Sequence, residues 1–296
     1  MKKLSIKGIL PPMITPFKEN GDVDYEMFVR NLEKWNEDEL AGYLVLGSNS
    51  ETVYLTEEEK IELMRLAKEH AKPGRVLLAG TGCDCERDTI RLTNIAADMG
   101  YDAALVLTPF YYIGKMNAQA MIRYFTHVAD ASRIPVMIYN VPKFTHNNIT
   151  AEAVSVLCKH PNIVGMKDST GDVPQMATWK RIVPEDFNLM VGTASALYPA
   201  LCLGVKAGIL ALANCHPNEC AAVQKAYDAG DHETALAIYQ RLFPVNAAVT
   251  GTYGISGLKY ACDLMGYEGG HVRSPLCDST DAEKEAVKRI VEAAKA

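Results

Sequence analysis

The chain has 296 residues, of which 48% are hydrophobic and 22% are charged, and its formal net charge is −6. This is an ordinary globular composition, which excludes disordered, collagen-like and coiled-coil chains. Acidic residues slightly outnumber basic ones and there is no Lys/Arg-rich run, so we expect no nucleic acid and no membrane surface as a partner. Small molecules and further copies of the chain are the expected partners.

The N-terminal stretch and the cysteines indicate the expected compartment. Lys2 and Lys3 precede an apolar stretch that Gly8 interrupts before it reaches the length of a signal peptide or a membrane span. The eight cysteines are too sparse for a disulfide scaffold, which favours a reducing, cytoplasmic location. Cys83 and Cys85 are one residue apart and no Cys/His pair follows at ligand spacing, so we expect no metal.

From the start of the chain to about residue 212, short apolar runs alternate with longer amphipathic stretches. The apolar runs are bounded by turn residues and are not alternating, which is typical of parallel strands buried on both faces. The predicted strands are Ile9 to Ile14, Tyr43 to Leu46, Val76 to Ala79, Ala103 to Leu107, Pro135 to Tyr139, Ile163 to Met166, Leu189 to Val191 and Gly208 to Leu212.

Helices are predicted between these strands. The clearest runs from Thr56 to His70, because Thr56 is followed three residues later by Glu59, which is the pattern of a capping box. Further predicted helices span Tyr25 to Trp35, Asp88 to Met99, Ala118 to Ala129 and Ala151 to Lys159.

Eight successive strand–helix units predict an α/β fold, a (β/α)8 TIM barrel, over residues 1–216. A doubly wound sheet is the alternative, and it usually carries a glycine-rich phosphate fingerprint. The nearest candidate is Gly80-Thr81-Gly82, but Cys85 stands where the third glycine belongs. We therefore interpret this segment as a tight turn and expect no dinucleotide cofactor.

Residues 217–296 form a predicted C-terminal helical domain. Its helices are expected at Asn218 to Asp228, Glu233 to Leu242, Gly257 to Met265 and Asp281 to Ala294. No low-complexity linker precedes them, so we expect this domain to form one rigid unit with the barrel and to offer a packing surface to a partner subunit.

The chemistry of a barrel is expected at the C-terminal ends of its strands. Lys167 directly follows the apolar run of the sixth strand, where it either pairs with Asp168 or another carboxylate, or acts as a desolvated amine that forms a Schiff base. Tyr139 ends the preceding strand, so its hydroxyl is expected near that amine, although a structural rim tyrosine fits equally well.

The loop after the second strand is the next candidate. Backbone N–H groups at Ser48 and Asn49 can bind a carboxylate and the Ser48 hydroxyl can pass a proton, or the loop simply caps the following helix. Glu51 is expected to orient this loop without reacting. The histidines form no ligand set, which disfavours a metal-dependent aldolase.

Four segments together resemble the dihydrodipicolinate synthase/N-acetylneuraminate lyase family of pyruvate-dependent class I aldolases. They are Gly47-Ser48-Asn49-Ser50-Glu51, Thr108-Pro109-Phe110-Tyr111-Tyr112, Tyr139-Asn140-Val141-Pro142 and Gly165-Met166-Lys167-Asp168. The resemblance covers essentially the whole chain and implies a barrel with a C-terminal helical domain, commonly assembled as a homotetramer or dimer.

The same resemblance implies the site residues. Lys167 is the expected Schiff-base lysine, Tyr139 the proton-transfer tyrosine, Ser48 its relay, and Tyr111 a residue donated to the neighbouring subunit's site. Substrate contacts are expected from Ser48, Asn49, Ser169, Gly192 and Ile209. The substrate is a 2-oxo acid, and no cofactor is expected because the imine itself accepts electrons.

Within this family, the chain is most similar to 4-hydroxy-2-oxoglutarate aldolases, through Gly47-Ser48-Asn49, Ala79 to Cys83, Lys167-Asp168-Ser169, Asn246 to Thr250 and Gly254-Ile255. Phe144 replaces the arginine that typically binds the aldehyde's carboxylate in dihydrodipicolinate synthases, with Lys143 beside it. Thr193 and Ala194 replace the acidic pair typical of N-acetylneuraminate lyases.

We therefore expect cleavage of 4-hydroxy-2-oxoglutarate to pyruvate and glyoxylate. The alternatives are a dihydrodipicolinate synthase that condenses pyruvate with aspartate semialdehyde, an aldolase or hydratase for another 2-oxo acid, and a non-catalytic pyruvate sensor. Ser50 and His146 favour the sensor, because both stand where glycine is usual and a side chain there alters the loop.

Overall fold

The structure is a computed structural model that describes residues 4–295, so Lys2 and Lys3 lie outside it. Its strands are β1 (Gly8–Leu10), β2 (Gly42–Val45), β3 (Val76–Gly80), β4 (Ala103–Leu107), β5 (Val136–Asn140), β6 (Ile163–Asp168), β7 (Asn188–Val191) and β8 (Ala207–Ile209). Each overlaps one predicted strand. β6 runs two residues further than predicted, so Lys167 lies within this strand and not after it.

All neighbouring strands pair in parallel, in the order β1-β8-β7-β6-β5-β4-β3-β2. The two ends of this sheet meet between β1 and β2. There the Ala41 N–H donates to the Ile9 carbonyl at 2.8 Å, and the Leu44 N–H donates to the Pro11 carbonyl at 3.0 Å. The predicted (β/α)8 TIM barrel is therefore confirmed, and the open doubly wound sheet is wrong.

The helices of the described residues surround and extend this barrel. They are α1 (Tyr25–Trp35), α2 (Glu57–His70), α3 (Glu86–Asp98), α4 (Ala118–Ala131), α5 (Pro142–Thr145), α6 (Ala151–Leu157), α7 (Val173–Ile182), α8 (Leu197–Cys202), α9 (Pro217–Asp228), α10 (His232–Ala247), α11 (Gly254–Leu264) and α12 (Asp281–Ala293). No helices were predicted from the sequence at α5, α7 and α8. α5 and α8 are too short to show a helical period, and α7 buries only Met176 and Trp179.

The start of α2 has the predicted capping box. The Thr56 hydroxyl accepts the Glu59 N–H at 3.3 Å, and the Thr56 N–H donates to the Glu59 carboxylate at 2.8 Å. This cap stabilises the helix by about 1 kcal/mol and fixes where the loop after β2 ends.

Two apolar layers hold the barrel together. Along β5, Met137 and Tyr139 belong to the interior of the barrel, whereas Val136 and Ile138 pack against the surrounding helices. Because successive side chains alternate between two buried faces, the strand reads as a continuous apolar run in the sequence.

The C-terminal helices pack directly on the barrel. α9 begins at Pro217, and α10 continues into a π-helical turn over Ala248–Thr252. The Tyr239 hydroxyl of α10 donates to the Ser195 carbonyl at 2.5 Å, and the Gln224 Nε2 atom of α9 donates to the Lys206 carbonyl at 2.6 Å. The division of the chain into domains at residue 217 stays a prediction.

The segment Gly80-Thr81-Gly82 is not the predicted tight turn: Gly80 ends β3, and the Thr81 N–H still donates to the Leu105 carbonyl of β4 at 3.2 Å. Its glycines are required by close packing. A Cβ atom on Gly80 would lie 2.2 Å from the Leu46 carbonyl oxygen, and one on Gly82 would lie 2.5 Å from the Leu107 nitrogen. Cys83 and Cys85 follow this glycine-rich segment, and all eight cysteines of the chain are free thiols. Within residues 4–295, no His, Cys, Asp and Glu side chains form a group of three able to share a metal ion.

The length and composition of the helices also bear on membrane insertion. Across the part of the chain that the structure describes, no helix combines the length and the apolar composition that crossing a bilayer requires.

Candidate active site

Lys167 and Tyr139 form the centre of the candidate site. They are register partners on β6 and β5, so the parallel pairing places them side by side near the C-terminal ends of these strands. Lys167 is only 3% exposed, and its Nζ atom lies 4.2 Å from the centroid of the Tyr139 ring. The face of an aromatic ring attracts a cation at this distance.

Asp168 does not pair with Lys167. Adjacent residues of a strand point to opposite faces, and the Asp168 carboxylate accepts hydrogen bonds from Trp179 Nε1 at 2.8 Å and from Asn140 Nδ2 at 3.1 Å. No described carboxylate lies within 4.0 Å of the Lys167 Nζ atom. The interpretation of Lys167 as one half of a salt bridge is therefore wrong, and its amine is free to meet a ligand.

Ser48 adds a hydroxyl to this pair. The loop after β2 forms one 3₁₀ turn over Ser48–Ser50, and the Ser48 Oγ atom lies 3.2 Å from the Tyr139 Oη atom. Tyr139 thus turns its ring face toward the Lys167 amine while its hydroxyl contacts Ser48. This arrangement provides a path for a proton at the mouth of the barrel.

The same turn offers hydrogen-bond donors. Ser48 and Asn49 open the 3₁₀ turn, where the helical geometry supplies no partner for a backbone N–H. The Asn49 Nδ2 atom is buried and has no partner among the described residues. A buried donor without a partner is costly, which suits this turn to binding an anionic group.

Ser50 and His146, which both stand where glycine is usual, differ in the sign of their backbone φ angles. Ser50 is buried, its Oγ atom donates to the Met13 carbonyl at 2.6 Å, and its φ is not positive. His146 has a φ of 51° at the end of α5, in the left-handed region that favours glycine. The serine therefore fits its loop without distortion, and only the position of His146 has a conformational preference for glycine.

Ser169 and Gly192 directly follow β6 and β7, and Ile209 is the last residue of β8. The Ser169 Oγ atom donates to the Gly192 carbonyl at 3.4 Å, and a Cβ atom on Gly192 would lie 1.9 Å from that hydroxyl. Ile209 is fully buried in the same interior cluster as Tyr139. The structure thus brings all three to the strand ends near Lys167, and their contact with substrate stays a prediction.

Tyr111 is the predicted site residue that stands apart. It follows β4 and is 71% exposed, with its ring packed edge to face on Tyr112 at 5.1 Å. The Asp84 carboxylate accepts the N–H groups of Phe110 and Tyr111 at 2.7 and 3.1 Å, which fixes the loop backbone. The Tyr111 hydroxyl makes no hydrogen bond to any described residue, and its donation to a neighbouring subunit's site stays a prediction.

Glu51 orients the loop, as predicted, through partners that sequence analysis missed. Its carboxylate lies 2.6 Å from the Lys259 Nζ atom and accepts the Arg273 N–H at 2.8 Å. Burial lowers the pKa of Lys259, and the negative charge of Glu51 opposes that change. The signal in the sequence was a single lysine within the otherwise largely apolar α11.

The outer wall of the site carries Phe144 and Lys143. Phe144 is 56% exposed on the short helix α5. The neighbouring Lys143 Nζ atom donates to the Thr250 carbonyl at 2.5 Å, so this cation is already engaged with the π-helical turn.

Comparison with known proteins gives a consistent result along the whole chain. A sequence model described as the dihydrodipicolinate synthetase family matches residues 5–294. The chain is 34% identical over 292 residues to the 4-hydroxy-tetrahydrodipicolinate synthase of Methanoculleus marisnigri, an alignment that covers 96% of this chain and 98% of the relative.

Solved structures agree with this similarity. The dihydrodipicolinate synthase of Bacillus anthracis superimposes with a TM-score of 0.93 at 28% identity, covering 98% of each chain. YagE, a prophage protein of the dihydrodipicolinic acid synthase family from E. coli K12 solved in complex with pyruvate, gives a TM-score of 0.92 at 29% identity. That comparison covers 97% of this chain and 98% of YagE.

Proposed function

This chain belongs to the dihydrodipicolinate synthetase family of pyruvate-dependent carbon–carbon lyases, and on that premise we propose that Lys167 is its imine-forming residue. The observation that carries the proposal is a buried lysine at the strand ends that no described carboxylate pairs, beside a tyrosine ring at 4.2 Å. The complex of YagE with pyruvate supports pyruvate as the keto acid.

The proposed chemistry begins at the Lys167 amine. Its lone pair attacks the keto carbon, water leaves, and the resulting protonated imine accepts the electron pair of the carbon–carbon bond that breaks. In the condensing direction, the enamine formed from that imine attacks an aldehyde carbon. The Tyr139 ring faces this nitrogen and stabilises it in the steps where it is cationic, as in the protonated imine, and no cofactor is needed as an electron acceptor.

Tyr139 and Ser48 are the proposed proton-transfer residues. The Tyr139 hydroxyl removes or returns the proton of the substrate hydroxyl, and the Ser48 hydroxyl at 3.2 Å relays it. Positioned proton transfer of this kind is typically worth about 10² to 10⁴ in rate.

The turn that contains Ser48 and Asn49 is the proposed binding site for the keto acid's carboxylate. The buried Asn49 Nδ2 atom without a partner and the two backbone N–H groups of the turn supply donors for it. We infer that Ser169, Gly192 and Ile209 contact the same substrate, because they lie at the C-terminal ends of β6, β7 and β8.

The names of the relatives favour a different second substrate, and so a different reaction, from the one expected in the sequence analysis. The Methanoculleus marisnigri relative and two others of 32% identity carry the name 4-hydroxy-tetrahydrodipicolinate synthase. We therefore put the condensation of pyruvate with aspartate semialdehyde first, ahead of the cleavage of 4-hydroxy-2-oxoglutarate.

One observation keeps that cleavage as the second candidate. Phe144 stands where synthases of this family typically carry an arginine for the aldehyde's carboxylate, and Lys143 beside it is bound to the Thr250 carbonyl. A half-exposed phenyl ring offers no donor to a carboxylate, which favours a substrate held by other groups.

Borohydride reduction in the presence of pyruvate tests the imine. We expect a three-carbon acid on the peptide that contains Lys167, no label in Lys167→Ala, and an unchanged label in the control Lys143→Ala, which removes a nearby exposed amine. A label on a different lysine, or none on the wild type, contradicts the proposal.

A further inference from the structure

A buried ion pair joins the Ser48 loop to the C-terminal helices. Glu51 ends the 3₁₀ turn of that loop, and Lys259 lies in α11. Their charged atoms are 2.6 Å apart, and both side chains are only 2% exposed. Removing one partner of such a pair leaves an uncompensated charge in the interior, so the two groups act as a unit.

Each partner is held by further contacts. The Lys259 Nζ atom donates to the His271 carbonyl at 2.5 Å and lies 4.6 Å from the centroid of the Phe17 ring. The Arg273 guanidinium lies 4.5 Å from the same ring, and the backbone N–H of Arg273 donates to the Glu51 carboxylate at 2.8 Å. The carboxylate of Glu51 therefore has a fixed position relative to α11 and to residues 271–273.

The backbone conformation of Glu51 links the position of its carboxylate to the shape of the Ser48 loop. Its φ of 53° and ψ of 37° are left-handed, a conformation that a residue other than glycine keeps only when its surroundings hold it. The Glu51 N–H donates to the Ser48 carbonyl at 3.2 Å, so the conformation of Glu51 closes the turn that presents Ser48 and Asn49.

We propose that Lys259 is a positioning residue of the C-terminal helices, which through Glu51 holds the Ser48–Asn49 turn against Tyr139. The inference rests on the proposed function, because it assigns Lys259 to the proton relay and carboxylate site described above. Lys167 and Tyr139 themselves are fixed by strand pairing and do not depend on this contact.

This separation gives the inference a specific signature. Imine formation needs the Lys167 amine, whereas exchange of the pyruvate methyl protons through the enamine also needs the Tyr139–Ser48 relay. A displaced turn should therefore slow exchange and raise the KM for pyruvate while the imine still forms. General destabilisation of the fold would instead lower imine formation and methyl-proton exchange by the same factor.

The experiment measures borohydride labelling of Lys167 at saturating pyruvate and, by NMR, exchange of the pyruvate methyl protons in deuterated water. For Lys259→Met, we expect exchange to fall about 10- to 100-fold with labelling preserved, since a displacement of about 1 Å costs up to about 10² in rate. The matched control is Tyr267→Phe, which removes a 2.8 Å hydrogen bond from the Tyr267 hydroxyl to Asp38, a contact outside the Ser48 loop. This variant should exchange at the wild-type rate.

Glu51→Gln provides the second test, because it keeps the side-chain size and removes the charge. Should Lys259→Met fail to fold, Glu51→Gln gives the same comparison with Tyr267→Phe. The inference is overturned if Lys259→Met and Glu51→Gln exchange the pyruvate methyl protons at the same rate as Tyr267→Phe. It is also overturned if Lys167 labelling and methyl-proton exchange fall by the same factor. Absence of label on the wild type would instead contradict the proposed function, so the two failures are distinguishable.

Discussion

The Lys167 amine lies against the face of the Tyr139 ring, 4.2 Å from its centroid, because the two residues are register partners on neighbouring parallel strands. The hydroxyl at the other end of the same tyrosine contacts Ser48 at 3.2 Å. The ring and the hydroxyl of Tyr139 are therefore expected to serve different steps, and substitution can separate them.

Tyr139→Phe should preserve the imine and slow turnover. The phenyl ring keeps the contact with the amine, but the hydroxyl that transfers protons is lost, so we expect kcat to fall by roughly 10² or more. Steady-state kinetics measure the loss, and borohydride labelling of Lys167 shows that the imine still forms. Ser48→Ala is the comparison and should have a smaller effect in the same direction. Wild-type kcat in Tyr139→Phe contradicts the assigned role.

Tyr111 should act in the site of a neighbouring subunit. It is 71% exposed, beside the equally exposed Tyr112, and its hydroxyl contacts no described residue. We expect analytical ultracentrifugation at micromolar concentration to show a dimer or tetramer. A fully active monomer rules out the shared site.

Mixing two inactive variants tests the same prediction more sharply. Lys167→Ala lacks the amine and Tyr111→Phe lacks the donated hydroxyl, but a mixed dimer contains one site with both groups intact. After subunit exchange, about a quarter of wild-type activity should return, because about half of randomly mixed dimers are heterodimers with one intact site of two. No recovery in a mixture shown to contain heterodimers counts against donation across the interface.

The fold was largely predictable because each strand is buried on both faces. In β5, Met137 faces the barrel interior and Ile138 faces the helices, so both positions are apolar and the strand is visible in the sequence. The strand ends were less predictable. β1 stops at Leu10 because Pro11 and Pro12 lack the N–H that a ladder requires, although both lie inside an apolar run.

The candidate site was predictable only where strand order determines it. Tyr139 and Lys167 end adjacent strands, so their proximity follows from the barrel alone. The pairing of Glu51 with Lys259 does not follow in this way, because it depends on how α11 packs against a loop that precedes it by most of the chain. No periodicity or spacing in the sequence indicates such a contact.

Glu59→Gln should destabilise the protein in a pH-dependent way. Two hydrogen bonds of 2.6 Å from the Arg273 guanidinium lower the pKa of the Glu59 carboxyl below its ordinary 4.5. Its stabilisation is therefore fully present above about pH 4.5 and is lost as the pH falls through the lowered value. We expect the free energy of unfolding at pH 7 to drop by about 1 to 3 kcal/mol.

Urea denaturation of wild type and variant at pH 7, 5 and 3 measures this effect. The difference between them should shrink as the pH falls toward the lowered pKa of the Glu59 carboxyl and the wild-type carboxylate begins to bind a proton. Glu62→Gln, on the same helix, removes an exposed pair with Arg65 and should change stability less. A difference independent of pH shows that the ion pair is not its cause.

The second substrate should depend on position 144. Arginine offers a carboxylate two charge-assisted hydrogen bonds, each worth about 1.5 to 3 kcal/mol, and phenylalanine offers none. Phe144 is 56% exposed, so an arginine fits there without overpacking the core. If cleavage of 4-hydroxy-2-oxoglutarate, the second candidate, is the reaction, Phe144→Arg should raise kcat/KM for the condensation with aspartate semialdehyde by about 10² to 10⁴ relative to that cleavage. If the condensation, the first candidate, is the reaction, its carboxylate is already bound by other donors and Phe144→Arg should change this ratio little.

Both reactions should be measured on the wild type, on Phe144→Arg and on the control Phe144→Leu, which removes the ring without adding a donor. Lys143 is a neighbouring cation that could replace the missing arginine, and its bond to the Thr250 carbonyl argues against this. If the wild type condenses the semialdehyde efficiently, as the first candidate requires, loss of that activity in Lys143→Ala would show that Lys143 supplies the donor. Efficient condensation that survives Lys143→Ala would mean that the substrate carboxylate is bound elsewhere, since neither Phe144 nor Lys143 then contributes a donor.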